Sequence, residues 1–171
     1  MSDTQSVYSA DLAGIVVGET AISDVQGEKG LLSYRGIDIN DLIGVPFLHV
    51  AWLVVFGEWP TEGEKRNLRT FMCNHARLSH PEQDLLGQVP RDLHPMLMLQ
   101  GVIPLLQLPE EETLGRGLDA EQGLFIAAKI SALIAAHYRL SQNKVILHPT
   151  AGKLRHDNFL TMFHGKSPTA E

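Results

Sequence analysis

Cysteine is nearly absent from this sequence, and basic residues are fewer than acidic ones. The single cysteine, Cys73, excludes an internal disulfide, and with it the small secreted scaffolds that depend on such bonds. A reducing compartment fits this usage. Fourteen basic residues stand against twenty acidic ones, which gives a formal net charge of −6. Because that sign is wrong for a protein that coats phosphate backbones, we expect no nucleic acid partner.

Long apolar runs are absent as well. The longest stretch that is nearly free of charge, residues 124–138, still contains Lys129 and His137, and it is shorter than the ~20 residues of a membrane span. We therefore predict a core helix here and expect no membrane partner. The N-terminal residues 1–5, MSDTQ, have neither the basic start nor the apolar run of a signal peptide. A cytoplasmic location is the expectation.

What the sequence does contain is a globular composition, with 44% hydrophobic residues over 171 positions. Two short segments with partial alternation, 22–25 and 31–35, flank the connection QGEKG, which predicts a β-hairpin. Helical periodicity follows, so the predicted fold is mainly α with a small N-terminal β-hairpin. We interpret the chain 1–171 as one incomplete helical domain with four parts: a hairpin (15–36), a first helical group (37–108), an acidic linker (109–121) and a second helical group (122–165).

Several helix boundaries can be predicted. The run 47–56 is apolar enough to be a strand or a helix. Thr61, with Glu64 three residues later, is typical of a capping box and starts a helix that we expect to reach about Ser79. Its core-facing stripe is predicted to be Leu68, Phe71, Met72 and His75. Further predictions are a short helix over 81–89, a bend at Pro104, and helices over 122–142 and 157–164.

Two patterns suggest ligand sites, and neither is complete. Residues 115–120, GRGLDA, match the G-x-G-x-x-A form of a dinucleotide fingerprint, but an acidic loop precedes them where a strand is required. We expect a flexible loop. Cys73, His75 and His80 are the closest metal-binding types, yet paired Cys-x-x-Cys units are missing, so we expect no zinc site. Cys73 itself should pack as a small hydrophobe.

Other histidines and a basic helix face also have structural interpretations. His94 and His148 each precede a proline near a predicted helix end, so either imidazole could act as an acid or base. No third group that would orient such a base is evident, and a helix-end hydrogen bond is the favoured role. The basic residues of the helix that starts at Thr61 are interleaved with acids and should form a solvated face; they are Lys65, Arg66, Arg69 and Arg77.

Four runs resemble one enzyme family in the same order along the chain. GETAISDVQGEKGLLSYRGIDI at 18–39 is similar to the N-terminal hairpin of citrate synthase and 2-methylcitrate synthase. VAWLVVFGEWPT at 50–61 resembles the family's next helix and turn, which favours a helix for residues 47–56. HPM at 94–96 and NFLTMFHG at 158–165 resemble two further landmarks. The resemblance spans about residues 15–165, and less than half of a complete family member.

The resemblance implies a chemistry for which this chain lacks the residues. The family condenses oxaloacetate with a thioester such as acetyl-CoA. It uses an aspartate to remove a methyl proton and histidines to stabilise the enol and polarise the ketone. Those histidines lie in Leu-His-Gly-Gly and Gly-x-Gly-His motifs, and His164-Gly165-Lys166 is not one of them. We therefore expect no catalytic, cofactor-binding or metal residue in this chain, and no resident cofactor, with acetyl-CoA or propionyl-CoA as substrate of a completed assembly.

Three hypotheses follow. The leading one is a citrate-synthase-like subunit that joins a second chain as the structural or regulatory half of a citrate or 2-methylcitrate synthase. The alternative is a non-enzymatic module that uses the helical scaffold for homo-oligomerisation or partner binding, since exposed apolar faces commonly mark interfaces. An independent enzyme that uses the histidines named above is the third. Citrate and methylcitrate chemistry stay equally open, as do a split gene, a degenerate paralogue and a shortened chain.

Overall fold

The computed structural model describes residues 15–16, 18–150 and 152–167. As the pattern predicted, the fold is mainly α, with one small antiparallel sheet near the N-terminal end. The chain forms two compact units, residues 1–59 and 60–171. The four-part division made from the sequence stays a prediction, and the polar residues 1–5 lie outside the described residues.

The first unit contains the predicted hairpin and one strand more. A 3₁₀ turn at Gly27–Lys29 joins its first two strands and ends at Gly30, which has a left-handed φ of 65°. Val25 pairs with Leu32, and all neighbouring strands are antiparallel. The third strand has only two residues, too few to produce a period that sequence reasoning can detect. The order in the sheet is β1 (Ser23–Gln26), β2 (Leu31–Tyr34) and β3 (Ile37–Asp38).

Two helices complete the described part of this unit, α1 (Ile39–Leu42) and α2 (Phe47–Phe56). The apolar run that could have been a strand is therefore a helix, as the family resemblance favoured. It ends at Gly57, whose φ of 80° suits a residue without a Cβ. Arg35 donates to the Val54 carbonyl from Nε at 3.0 Å and from Nη2 at 2.8 Å, and this contact ties the end of β2 to the last turn of α2.

The second unit is a helical group around one long helix. The longest helix, Leu118–Ser141, contacts the other four and carries much of the core, including the fully buried Leu133. Met98 and Leu86, each 1% exposed, pack from neighbouring helices. The helices are α3 (Glu62–His75), α4 (His80–Gln88), α5 (Pro95–Val102), α6 (Leu118–Ser141) and α7 (Arg155–His164).

Helix α3 begins as predicted and ends earlier. Thr61 accepts from the Glu64 amide, and the Glu64 carboxylate accepts from the Thr61 amide at 2.8 Å, which confirms the capping box. The predicted buried stripe is confirmed at all four positions. The predicted end at Ser79 is wrong, because Ser79 is the N-cap of α4 and forms a second capping box with Glu82. A residue that caps one helix cannot continue another.

The later boundaries agree more closely with the sequence. Helix α5 stops at Val102, and a 3₁₀ turn over Ile103–Leu105 contains Pro104, so the α-helix ends just before the proline at which the sequence predicted a bend. Helix α6 starts four residues before the predicted position. Among the described residues, α6 alone has the length and apolar composition of a membrane span. More than half of that window is buried within the unit, so α6 is the predicted core helix.

Gly165 ends α7, and its replacement by alanine should destabilise the fold. Its φ is +83°, its amide donates to the Thr161 carbonyl at 2.8 Å, and a Cβ built on it would lie 2.9 Å from Nη1 of Arg139. Arg139 is buried and donates through Nε to the Val145 carbonyl, so it cannot move away freely. We expect Gly165→Ala to lower the free energy of unfolding by about 2 kcal/mol.

The matched control is Gly152→Ala. Gly152 has the same φ of +83°, but no atom of the described residues lies within 4 Å of a built Cβ, so only the conformational cost of about 1 kcal/mol applies there. Urea unfolding followed by circular dichroism measures both variants. Equal losses would show that the contact with Arg139 has no energetic consequence.

Candidate functional site

The second unit contains a cavity of about 400 Å³, which we call the polar cavity after the ionisable side chains in its lining. It is formed by the end of α3, the start of α4, the middle of α6 and two connecting segments. Its lining includes an unusual concentration of ionisable side chains, which makes it the candidate site by chemistry; they are His75, Arg77, His80, Glu82, Glu112, Lys129 and His148.

Lys129 is the buried cation of this cavity. Its side chain is 6% exposed, and its Nζ donates to Oε2 of Glu82 at 2.8 Å and to the Arg77 carbonyl at 2.7 Å. The ammonium also lies 5.2 Å from the centre of the Phe125 ring. The same Glu82 oxygen accepts from the Ser79 amide at 2.6 Å. One carboxylate therefore both caps α4 and neutralises a lysine of α6, which fixes the two helices to each other.

His75 is the buried imidazole. Its ring packs edge-on against Phe71 and Phe125, with centroids 4.3 and 5.1 Å away. Its Nδ1 lies 3.5 Å from Oε2 of Glu112. Burial lowers the pKa of His75 below 6.5, and the opposing effect of the Glu112 carboxylate is smaller. His75 is thus neutral near pH 7, which suits a packing role better than a charged one.

This burial predicts a pH dependence of stability. The folded-state pKa of His75 lies below its unfolded value, so the unfolded chain binds the proton more tightly. The stabilisation that neutral, buried His75 provides is therefore complete above its unfolded-state pKa of 6.5. It is lost as the pH falls through the lower folded-state pKa. We expect the unfolding free energy to drop as the pH falls below about 6.5, and His75→Gln to flatten that slope. His156→Gln is the control, because this side chain is 72% exposed. An unchanged slope in His75→Gln would contradict the assignment.

His148 lies in the same cavity, in the segment between α6 and α7. Its Nδ1 is buried and has no hydrogen-bond partner among the described residues. Burial lowers the pKa of His148, and the nearby Arg77 and His80 lower it further. The prediction of a helix-end hydrogen bond is therefore wrong for His148. It is confirmed for His94, whose Nδ1 accepts from the Met96 amide at 3.2 Å and caps α5.

The other residues singled out in the sequence do not converge. Cys73 is exposed, because it falls off the α3 stripe that faces the core, so its predicted packing as a small hydrophobe is wrong. His75, two residues on, is buried. No three histidine, cysteine, aspartate or glutamate side chains of the described residues could hold a metal ion together. Of the basic residues, Arg66 and Arg69 are exposed, and Lys65 pairs with Glu62 at 2.6 Å.

The glycine pattern at 115–120 forms a tethered loop. Gly115 and Gly117 have φ values of +75° and +115°, and Gly117 is the N-cap of α6. The carboxylate of Glu121, 1% exposed, accepts from the backbone amides of Leu114 and Arg116. Backbone amides that a phosphate would need are thus occupied by a side chain of the protein itself.

Sequence reasoning missed three buried charged residues of α6: Glu121, Lys129 and Arg139. A signal was present for Lys129 and Arg139, since each is a charge within the predicted helix 122–142, whereas Glu121 fell in the predicted acidic linker. Such a residue is either on the solvated face or paired inside. Periodicity alone does not separate the two cases, because the partners Glu82, Leu114 and Val145 lie on other segments.

Comparison with known proteins gives a consistent result along nearly the whole chain. Residues 11–171 match the family described as citrate synthase, C-terminal domain. The 2-methylcitrate synthase of Shewanella oneidensis is 32% identical over 99% of this chain and 46% of its own length. The citrate synthase of Synechocystis sp. is 30% identical over 98% of this chain and 43% of its own length.

Solved structures agree. The citrate synthase of Pyrobaculum aerophilum superimposes with a TM-score of 0.81 at 26% identity, over 93% of this chain and 42% of that one. The citrate synthase of Thermotoga maritima superimposes with a TM-score of 0.78 at 23% identity, over 95% of this chain and 43% of that one. This similarity shows the shared fold. The chain thus spans less than half the length of the relatives it matches. Since the family match extends over residues 11–171, the chain belongs to the citrate synthase family.

Proposed function

We propose that this chain is the structural or regulatory half of a citrate or 2-methylcitrate synthase and works together with a second chain. The observation that carries the proposal is the coverage: the similarity extends over 99% of this chain but 46% of the Shewanella oneidensis enzyme. The remaining part of the relatives' fold has no counterpart in these 171 residues. In this proposal the second chain supplies the catalytic histidine and aspartate motifs. The completed assembly is a transferase of the tricarboxylic acid cycle or of the related 2-methylcitrate reaction, and its thioester substrate is acetyl-CoA or propionyl-CoA.

The contacts in the polar cavity support a structural role. Lys129 is neutralised by Glu82, and His75 packs against two aromatic rings. These contacts hold the helices together, and outside the cavity lining the Glu121 carboxylate accepts from two backbone amides of the loop before α6. A barrier such as enolisation of a thioester requires a positioned base and electrostatic groups that face a substrate. The proposal therefore assigns this chemistry to the second chain.

Reconstitution tests the proposal. The chain is co-expressed with the part of the Shewanella oneidensis 2-methylcitrate synthase that it does not match, and each is also purified alone. Release of free CoA from acetyl-CoA or propionyl-CoA with oxaloacetate is measured by a thiol reagent. We expect a complex and CoA release from the pair, and neither chain active alone. CoA release by this chain alone would overturn the proposal, as would the absence of both a complex and activity.

A second candidate is a non-enzymatic module that forms homo-oligomers. Apolar side chains on α5 and the turn that follows are exposed: Met96 by 64%, Leu97 by 54% and Leu105 by 63%. Exposed apolar groups that lie close together favour association. Light scattering coupled to size exclusion tests this, with Met96→Asp as the variant and Thr70→Asp, at an exposed position of α3, as the control. A monomer at all concentrations would contradict this candidate and leave the first one standing.

A further inference from the structure

A second cavity, of about 410 Å³, lies in the same unit and is separate in its lining from the polar one. It is bounded by the loop before α5, the last turns of α6 and one residue of α7. Its volume is in the range of sites for small organic ligands. No residue of this cavity takes part in the contacts described for the polar cavity.

One wall is aromatic and apolar. The rings of Tyr138 and Phe163 stack with centroids 4.0 Å apart and an angle of 6° between their planes, and Ile134 lines the same cavity. Tyr138 stays 37% exposed, although α6 is otherwise a core helix at this point. Flat aromatic surfaces favour an aromatic ring as their neighbour. The wall therefore selects a planar apolar group.

Three polar side chains of the other walls each already have a hydrogen-bond partner. Nε2 of His137 lies 2.8 Å from the Leu93 carbonyl, and the Ser141 hydroxyl donates to the Tyr138 carbonyl at 2.8 Å. Nδ1 of His94 is occupied by its role as the cap of α5. A group that enters this space consequently gains little from hydrogen-bonding atoms of its own, and its apolar surface decides the fit.

Two opposite charges line the exposed side. Arg91 and Asp92 are adjacent, exposed and contribute to the cavity lining, and neither forms an ion pair with another described residue. A guanidinium binds a carboxylate through two parallel hydrogen bonds, and a carboxylate binds an ammonium group. Side by side, the two charges complement a small zwitterion.

We propose that this cavity binds a free aromatic amino acid, with its ring against Ile134, Tyr138 and Phe163 and its zwitterionic head between Arg91 and Asp92. The ring fills the apolar part of the cavity, and the head complements two charges that pair with no other described residue. The site does not depend on the synthase assignment, because all of its residues lie within one unit of this chain.

Three probes separate the contributions of the ring and the two charges. L-phenylalanine carries all three features, 3-phenylpropionate lacks the ammonium group and phenethylamine lacks the carboxylate. Binding to the full chain is measured by calorimetry and by amide chemical shifts. We expect saturable binding with L-phenylalanine the tightest, and shift changes confined to the loop before α5, the end of α6 and α7.

The variants give opposite patterns. Arg91→Gln should weaken the binding of L-phenylalanine and 3-phenylpropionate about tenfold and leave the binding of phenethylamine unchanged. Asp92→Asn should weaken the binding of phenethylamine and leave the binding of 3-phenylpropionate unchanged. Both residues are exposed, so both variants should fold. Tyr138→Leu should weaken all three probes, and Arg66→Gln is the control. The absence of saturable binding, or losses equal in Arg66→Gln, would overturn the proposal.

Discussion

Replacing Lys129 with methionine is expected to lower the free energy of unfolding by about 3 kcal/mol, although methionine has a similar volume and greater apolarity. The reason is the partner left behind: the Glu82 side chain is 13% exposed, and Lys129 Nζ is 2.8 Å from its Oε2. Removing one member of a buried pair leaves the other charge without compensation, which costs several kcal/mol. Glu82 keeps its hydrogen bond from the Ser79 amide, so part of its solvation is retained.

A double-mutant cycle separates the pair from the individual residues. Glu82→Gln also weakens the cap of α4, so it should destabilise the fold alone, whereas the double variant with Lys129→Met should lose less than the sum of the two. Lys65→Met is the matched control, since that lysine pairs with Glu62 at 2.6 Å on the surface of α3 and such pairs contribute ~0.5 kcal/mol or less. Additive losses in the cycle would show that the pair is not coupled.

Replacing Glu121 with alanine should have an effect of similar size, about 3 kcal/mol. Glu121 is 1% exposed, and its two oxygens accept from the amides of Leu114 and Arg116. Hydrogen bonds to a charged group are each worth about 1.5–3 kcal/mol, and their loss here also leaves two amides without an acceptor. The loop over 114–117 should lose its fixed conformation.

Urea unfolding gives the loss in stability, and hydrogen exchange at the Leu114 and Arg116 amides gives its location. Glu121→Gln keeps one acceptor oxygen in place and should lose about half as much. Glu111→Ala is the control, because this residue belongs to the same acidic stretch and is exposed. Unchanged protection of the two amides in Glu121→Ala would contradict the tether.

Much of the fold could be predicted from local signals. The capping box of Thr61 and Glu64 fixes the start of α3, and Pro104 fixes the end of the α5 segment, because both act within one turn of their own position. The buried stripe of α3, including His75, follows from periodicity. Local signals do not suffice where two of them compete. Ser79 is close enough to α3 to extend that helix, but it caps α4 instead.

The two cavities could not be predicted in this way. Lys129 and Glu82 are separated by 47 residues, and His137 and Leu93 by 44, so no spacing rule relates them. His148 is the clearest case in which the local sequence does not determine the role of a residue. It precedes a proline, as His94 does, yet His94 caps a helix, whereas Nδ1 of His148 lies buried in a cavity and has no hydrogen-bond partner among the described residues.

The sequence by itself determined the family, the helical class and most helix ends, because these depend on ordered motifs and on contacts within one or two turns. The tertiary structure alone decided which charges are buried and what neutralises them. Helix α6 is the reason: it brings Glu121, Lys129 and His137 against four other helices and their loops, and only that packing gives each polar group its partner.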